Sequence, residues 1–242
     1  MTFTQHDIEW TPEKSRRLWD YYGSNERYAS FFFGYQAGRF VARKLFSAVP
    51  LPSDARLLDF SCGRGDVIAA CLSRMGPKQE IVATDFSEAV LDHVRARFAG
   101  DPRFKGAVSS RELPALPAEE RFDVVVATEV IEHLHDDELA AMLTECRRLL
   151  KPGGYVFLTT PNDEDYDAAR MMCPECGCVY HKWQHVRTWT VETLRARMEQ
   201  AGFDSRLVAP VSWRSWPAAA LDRLRYGRRA ANGLVYVGSP AR

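Results

Sequence analysis

Glu129, Glu132 and His133 stand in the run EVIEH, one residue after the apolar stretch FDVVVA. If the chain turns helical there, their i, i+3 and i+4 spacing puts all three on one face. Two carboxylates and an imidazole brought together form either a general acid-base cluster or part of a site for a hard-to-borderline metal ion. Both uses serve one kind of reaction, because a hydroxyl becomes a nucleophile once a base takes its proton or a cation lowers its pKa. The plainer reading is that Glu132 caps a turn and His133 is a loop residue or a base without metal.

A second set lies in Asp59-Phe-Ser-Cys-Gly63-Arg-Gly65-Asp66. Gly-x-Gly after a strand suits any ligand that backbone must approach closely, so the flanking residues decide which ligand it is. A dinucleotide fingerprint beginning at Gly63 would need glycine at position 68, where Ile68 stands. Asp59 and Asp66 would repel a pyrophosphate, whereas a sulfonium cation with an amino-acid tail gains from nearby carboxylates. Asp85 follows Gly65 by twenty residues. There a carboxylate can accept both ribose hydroxyls of a nucleoside, or simply cap the next helix. An NAD oxidoreductase is disfavoured by Ile68 and the acidic loop.

The third set is Cys173-Pro-Glu-Cys176 followed by His181-Lys-Trp-Gln-His185, a C-x2-C-x4-H-x3-H pattern. Both halves have spacings used in tetrahedral zinc sites. The expectation is a zinc held by Cys173, Cys176, His181 and His185 that braces an insertion over the mouth of the nucleoside pocket. Cys62, Cys71 and Cys146 fall in apolar or helical patterns and read as small core hydrophobes. Trp183, Trp189, Trp213 and Trp216 either shape an acceptor pocket or pack in the core.

These groups need elements to hold them. Strands are predicted at Arg56 to Phe60, Ile81 to Thr84, Phe104 to Val108, Phe122 to Ala127 and Tyr155 to Thr160, with later ones at Arg206 to Val208 and Leu234 to Val237. Helices are predicted at Asp66 to Met75, Ser87 to Phe98 with Ser87 as cap, Asp136 to Leu150 and Val191 to Ala201. Two helices precede them, with apolar residues at helical spacing through Leu18, Trp19, Tyr22 and then Phe32, Tyr35, Phe40, Leu45. Alternating strands and helices give an α/β doubly wound, mostly parallel sheet, expected to have seven strands. Residues 1 to 50 are read as a helical lid and 51 to 242 as the main domain, with an irregular insertion at 162 to 189.

The motifs LLDFSCGRGD, IVATDFS, FDVVVATEVIEHL and LLKPGGYVFLTTPN, in this order, resemble those of class I S-adenosylmethionine (SAM)-dependent methyltransferases. That resemblance implies that Asp59, Ser61, Gly63 and Gly65 line the methionine end of the cofactor, that Asp85 holds the ribose and that Phe86 lies against the adenine. Ser61 departs from the glycine that commonly opens the loop. EVIEH is similar to the same segment in the enzymes that 2'-O-methylate small RNAs and in the O-methyltransferases of ubiquinone biosynthesis. In the RNA group these side chains and a downstream histidine hold a divalent cation. HVRTWT is loosely similar to that downstream stretch, so His181 or His185 is a competing partner for Glu129, Glu132 and His133. Cys173 and Cys176 would then have Cys178 at most as a third thiolate. The N-terminal stretch and the CPECG to HKWQH insertion resemble methyltransferases of bacterial surface-polysaccharide and secondary-metabolite enzymes, in which N-terminal helices cover the cofactor; Tyr35 and Gln36 are the lid candidates.

Lys plus Arg and Asp plus Glu number 32 each, so no global field favours nucleic acid. The basic run Arg223, Arg225, Arg228 and Arg229 reads as a solvated helix face. No stretch approaches the roughly 20 apolar residues that span a bilayer, and the protein is expected in the cytoplasm. The expected activity is O-methylation of a small-molecule or glycan hydroxyl. The alternatives are a metal-dependent RNA 2'-O-methyltransferase and a non-catalytic SAM-binding or zinc-braced interaction module.

Overall fold

The structure, a computed structural model, describes residues 4–116, 121–213 and 231–241. In chain order its strands and α-helices are β1 (His6–Asp7), α1 (Pro12–Ser24), α2 (Phe33–Ala48), β2 (Arg56–Phe60), α3 (Asp66–Leu72), β3 (Glu80–Asp85), α4 (Glu88–Phe98), β4 (Phe104–Ser109), β5 (Phe122–Thr128), α5 (Asp136–Leu149), β6 (Leu150–Pro161), β7 (Arg170–Met172), β8 (Cys178–His181), α6 (Val191–Gln200), β9 (Phe203–Val211) and β10 (Gly233–Pro240).

Seven strands form one sheet in the order β4-β3-β2-β5-β6-β10-β9. The first five run parallel, and β10 pairs antiparallel with both β6 and β9. The doubly wound, mostly parallel expectation holds. The run FDVVVA is a central strand, and its Phe122, Val124, Val125, Val126 and Ala127 are all buried because helices cover both faces. Two apolar clusters result. One contains α2, α3 and α4 residues such as Val41, Ile68 and Leu91; the other contains α5 and α6 residues such as Leu143 and Leu194.

Local chemistry explains most helix boundaries. α1 starts at Thr11, whose side chain accepts from the Lys14 amide, with Pro12 in the first position. α3 starts at Gly65 and ends at Leu72, earlier than the predicted Met75. Ser87 precedes α4 without capping it, because its hydroxyl donates to Asp20 Oδ1 on α1 at 3.0 Å.

The insertion is more ordered than its sequence suggests. β7 and β8 form an antiparallel hairpin, and β1 adds to β8 in parallel, making a separate three-stranded sheet. Strands of two to four residues with exposed faces leave little periodicity to detect. Among the described residues no helix is long and apolar enough to cross a membrane.

Candidate active site

The parallel strands deliver their last residues to one edge, where ligands bind in doubly wound sheets. After β2 the chain turns sharply through Ser61 (φ 61°), Gly63 (φ 50°) and Gly65 (φ 79°). Ser61 thus keeps the left-handed conformation usually left to glycine, at a cost on the order of 1 kcal/mol. Gly65 is required twice over: its φ is positive, and an added Cβ would stand 2.7 Å from the Phe98 ring. A Cβ on Gly63 would meet nothing within 4 Å, so open space adjoins the loop.

Asp59 faces this loop from within the sheet. It is 1% exposed, and neither carboxylate oxygen has a hydrogen-bond partner. Burial, reinforced by the Asp85 carboxylate, pushes its pKa up to about 8. Asp85 is better satisfied: Oδ2 accepts from the Gly63 amide and Oδ1 from the Ser87 amide, each at 3.1 Å. Burial raises its pKa while these amides oppose the rise. Next along the chain lies a cavity of about 490 Å³, lined among others by Phe86, Ser87, Arg64 and, from α1, Arg16 and Asp20, whereas Asp59, Ser61, Gly63, Gly65 and Asp85 are not among its lining residues. Tyr35 and Gln36 are not among its lining residues. Tyr35 is 63% exposed and Gln36 donates to the Ser30 carbonyl, while α1 contributes Arg16 and Asp20 to this cavity's wall.

EVIEH follows β5 as a turn, not the helix its spacing suggested. Glu129 itself has φ 52°, and its amide donates to the Thr159 carbonyl. Its carboxylate accepts from Thr159 Oγ1 at 2.8 Å, while that of Glu132 accepts from Thr160 Oγ1 at 2.9 Å. The two threonines end β6 beside β5, and nothing in their spacing announced this role. Glu132 is buried, and its Oε1 has no hydrogen-bond partner; it lies 3.8 Å from His133 Nε2. Burial, with Glu129 next in effect, pushes the Glu132 carboxyl well up, and burial pushes Glu129 up to about 8. Burial, followed by the neighbouring His185, pushes His133 down to about 3.

The insertion closes on this turn. Val186 donates its amide to the Glu132 carbonyl at 2.9 Å, and Gln184 Nε2 donates to the His133 carbonyl at 3.0 Å. His185 is thereby set beside His133, with ring centroids 4.8 Å apart. Donor atoms of Glu132, His133 and His185 lie within 4.8 Å of one another, and so do those of Glu164, His181 and His185. Glu164 joins the two histidines, with Oε2 2.5 Å from His185 Nδ1 and Oε1 3.5 Å from His181 Nε2. Burial works against the Glu164 anion, but hydrogen bonds to His181 and His185 outweigh it and hold the pKa at about 2.

α1 supplies the cover. Trp19 Nε1 donates to Gln184 Oε1 at 2.7 Å, and its ring meets His133 edge-on at 4.9 Å. Trp183 joins the same cover against Tyr22 and Phe31, whereas Trp189 and Trp213 are buried in the core. Trp216 and the arginines 223, 225, 228 and 229 lie outside the described residues. The non-glycine residues with positive φ among those described are Ser61, Glu129, Asp163 and Gln184, all in or beside these loops. Strain of this kind concentrates where function fixes geometry.

The set of Cys173, Cys176, His181 and His185 is not assembled. Cys173 and Cys178 close the turn end of the β7–β8 hairpin, while His181 pairs with Arg170 at its other end. Positions 178 and 181 also fall on opposite faces of an extended strand. The histidines meet Glu164 and the EVIEH turn instead, which was the competing assignment. Cys62, Cys71 and Cys146 are buried, as expected of core residues. Glu164 was missed because it belongs to no local spacing pattern, and the site roles of Trp19, read only as part of a helical apolar stripe, and of Gln184, read only as a spacer between the histidines, show only in the folded chain.

A family model described as "Methyltransferase domain" matches residues 30–208. A ubiquinone biosynthesis O-methyltransferase of Cereibacter sphaeroides is 32% identical over 190 residues, covering 72% of each chain. A Mycolicibacterium smegmatis protein named "Probable S-adenosylmethionine-dependent methyltransferase" is 35% identical over 117 residues, 47% of this chain and 41% of that protein, so the match spans less than half of that relative. In fold, the chain is similar to the Burkholderia thailandensis 1,6-didemethyltoxoflavin-N1-methyltransferase solved with S-adenosylhomocysteine, at a TM-score of 0.67 and 18% identity, covering 99% of this chain and 94% of that one. With seven strands in this order, an acidic glycine loop at the carboxyl edge and a family match over most of its length, the chain belongs to the SAM-dependent methyltransferases.

Proposed function

We propose that this protein transfers the methyl group of SAM to a hydroxyl of a small molecule or glycan, with Glu129, Glu132, His133 and His185 forming the centre that activates the hydroxyl. The observation that carries this reading is the convergence of buried donor atoms. Glu132 Oε1 and His133 Nδ1 have no hydrogen-bond partner, and Glu132, His133 and His185 offer donor atoms within 4.8 Å of one another. Buried polar atoms without partners are costly, about 1–3 kcal/mol each, so the chain is shaped for a group that would satisfy them.

The residues fit a divalent cation, zinc among the candidates. A carboxylate (Glu132) and imidazoles (His133, His185) are among its usual donors, and Glu164 on His185 Nδ1 is the outer carboxylate that fixes a ligating histidine, leaving Nε2 to bind. Bound there, the cation would lower the pKa of an acceptor hydroxyl. His133, held uncharged by burial, is a better ligand than base. Glu129 is half-buried, and its second oxygen can take the hydroxyl proton only in the ionised form. With the pKa pushed up to about 8, that form is the minor one at neutral pH and grows as pH rises toward 8 or as a cation bound alongside favours the anion.

The cofactor fits the other half of the site. SAM supplies an electrophilic methyl on a sulfonium. Asp59, with both oxygens unpaired, suits its ammonium tail, and Ser61, Gly63 and Gly65 give the backbone approach. Asp85 is suited to the ribose, and Phe86, 39% exposed on the cavity wall, to the adenine. In the reaction an O–CH3 bond forms as the S–CH3 bond breaks, the sulfur keeps the electron pair as a neutral thioether, and the hydroxyl proton passes to Glu129.

Trp19 and Gln184 exclude water above His133 in this reading. The balanced charge of the chain supports a neutral acceptor over a nucleic acid. Native mass spectrometry with added S-adenosylhomocysteine, before and after a chelator, tests both halves at once. The expected result is one cofactor mass and, among the metal masses a chelator removes, one that Glu132→Gln also removes; no cofactor mass would overturn the reading.

A further inference from the structure

We propose that Cys173, Cys176, Cys178 and His6 form a structural zinc site that staples the N-terminal strand to the insertion. The argument starts from a row of residues across the small sheet. β1 pairs with β8 so that His6 faces Cys178, and the His6 amide donates to the Gly177 carbonyl at 3.1 Å. The antiparallel hairpin places Cys173 opposite Cys178 on the other side, with the Cys173 amide donating to the Cys178 carbonyl at 2.8 Å. Residues opposite one another on adjacent strands share a face, and in the antiparallel Cys173–Cys178 pair the Cβ atoms stand about 4.5–5.5 Å apart. His6, Cys178 and Cys173 therefore stand on one face in one row.

Cys176 joins them from the turn. Gly177, with φ 78°, lets the chain fold back so that its amide donates to the Cys173 carbonyl at 2.9 Å. The turn brings Cys176 back beside Cys173, and the two thiols interact. His6 Nδ1 lies 3.3 Å from the Thr4 carbonyl. A carbonyl only accepts, so Nδ1 carries the proton and Nε2 is the nitrogen left to ligate. No three of these four residues offer donor atoms within 4.8 Å of one another, so the side chains must rotate to bind an ion. His6 and Cys176 are exposed and free to do so. Three thiolates and one imidazole make a closed tetrahedral zinc site with no position for a substrate.

The consequence reaches the active site. β1 leads into α1, which carries Trp19 to Gln184 and Asp20 to Ser87. A zinc here would hold that cover in place.

Cobalt(II) substitution separates this site from the carboxylate and histidine centre, because only sulfur ligation gives a thiolate-to-cobalt charge-transfer band. The expected result is a near-ultraviolet band in the whole protein, lost in Cys178→Ser, weakened in His6→Ala and unchanged in His181→Ala and His185→Ala. His6 is exposed near the N-terminus, so its removal does not threaten the fold. No band in the unaltered protein, or a band indifferent to both Cys178→Ser and His6→Ala, would overturn the proposal. Loss of the band in His181→Ala or His185→Ala would restore the C-x2-C-x4-H-x3-H set and overturn it too. As a second readout, Cys178→Ser should speed hydrogen exchange in α1; unchanged exchange would contradict the stapling role.

Discussion

Glu164 and His185 share a 2.5 Å hydrogen bond between residues 21 apart, drawn together because the insertion folds back over the carboxyl edge of the sheet. The carboxylate takes His185 Nδ1 and turns Nε2 toward the EVIEH turn. Glu164→Gln should therefore lower methyl transfer by about 10–100-fold, the usual cost of removing such an outer partner. Affinity for S-adenosylhomocysteine should not change. Isothermal titration beside a turnover assay checks the split, and equal turnover would show that His185 needs no orienting group.

Asp59 makes cofactor binding depend on pH. Its pKa in the folded chain, about 8, lies above the ordinary carboxylate value, so the folded chain retains a proton that the unfolded chain releases. This group therefore costs stability as pH rises from about 4 to about 8. A bound ammonium favours the anion, so binding at neutral pH should release a proton. Affinity should tighten with pH up to about 8 and then level off. Calorimetry in two buffers of different ionisation enthalpy measures the proton directly, and no release at neutral pH would count against Asp59 as the ammonium partner.

Ser61 holds a left-handed conformation that glycine adopts without penalty. Ser61→Gly should stabilise the chain by about 1 kcal/mol, or roughly 2–4 °C in Tm for a domain of this size. Gly65→Ala should do the reverse and more, since it adds a clash with Phe98. Thermal unfolding of the two variants gives both signs.

Trp19→Phe keeps a ring against His133 but removes the 2.7 Å bond to Gln184. Loss of one neutral hydrogen bond, about 1 kcal/mol, should raise KM and the S-adenosylhomocysteine Kd by at most about fivefold while kcat changes little. A large fall in kcat would assign Trp19 a part in the chemistry itself.

The sheet was legible because its signals are local. A buried strand such as FDVVVA and a glycine pair before a helix follow from rules that act over a few residues. The sites were half legible for the same reason. EVIEH named Glu132 and His133, but the histidine that joins them comes from the insertion, and only tertiary folding selects His185 over the nearer-looking CxxC partner. The Cys and His spacing misled because a hairpin strand, not a zinc-finger turn, lies between its halves. Thr159, Thr160, Glu164 and Gln184 carry no pattern; they matter through what β6 and the insertion bring beside them.

The most direct test of the account compares His133→Ala and His185→Ala with the unaltered protein, following transfer of labelled methyl from SAM to a panel of phenolic and sugar hydroxyls. The predicted result is unchanged S-adenosylhomocysteine affinity with transfer reduced by about 10²–10⁴-fold in both variants. Undiminished transfer in either variant would contradict the claim that this buried carboxylate and histidine cluster activates the acceptor.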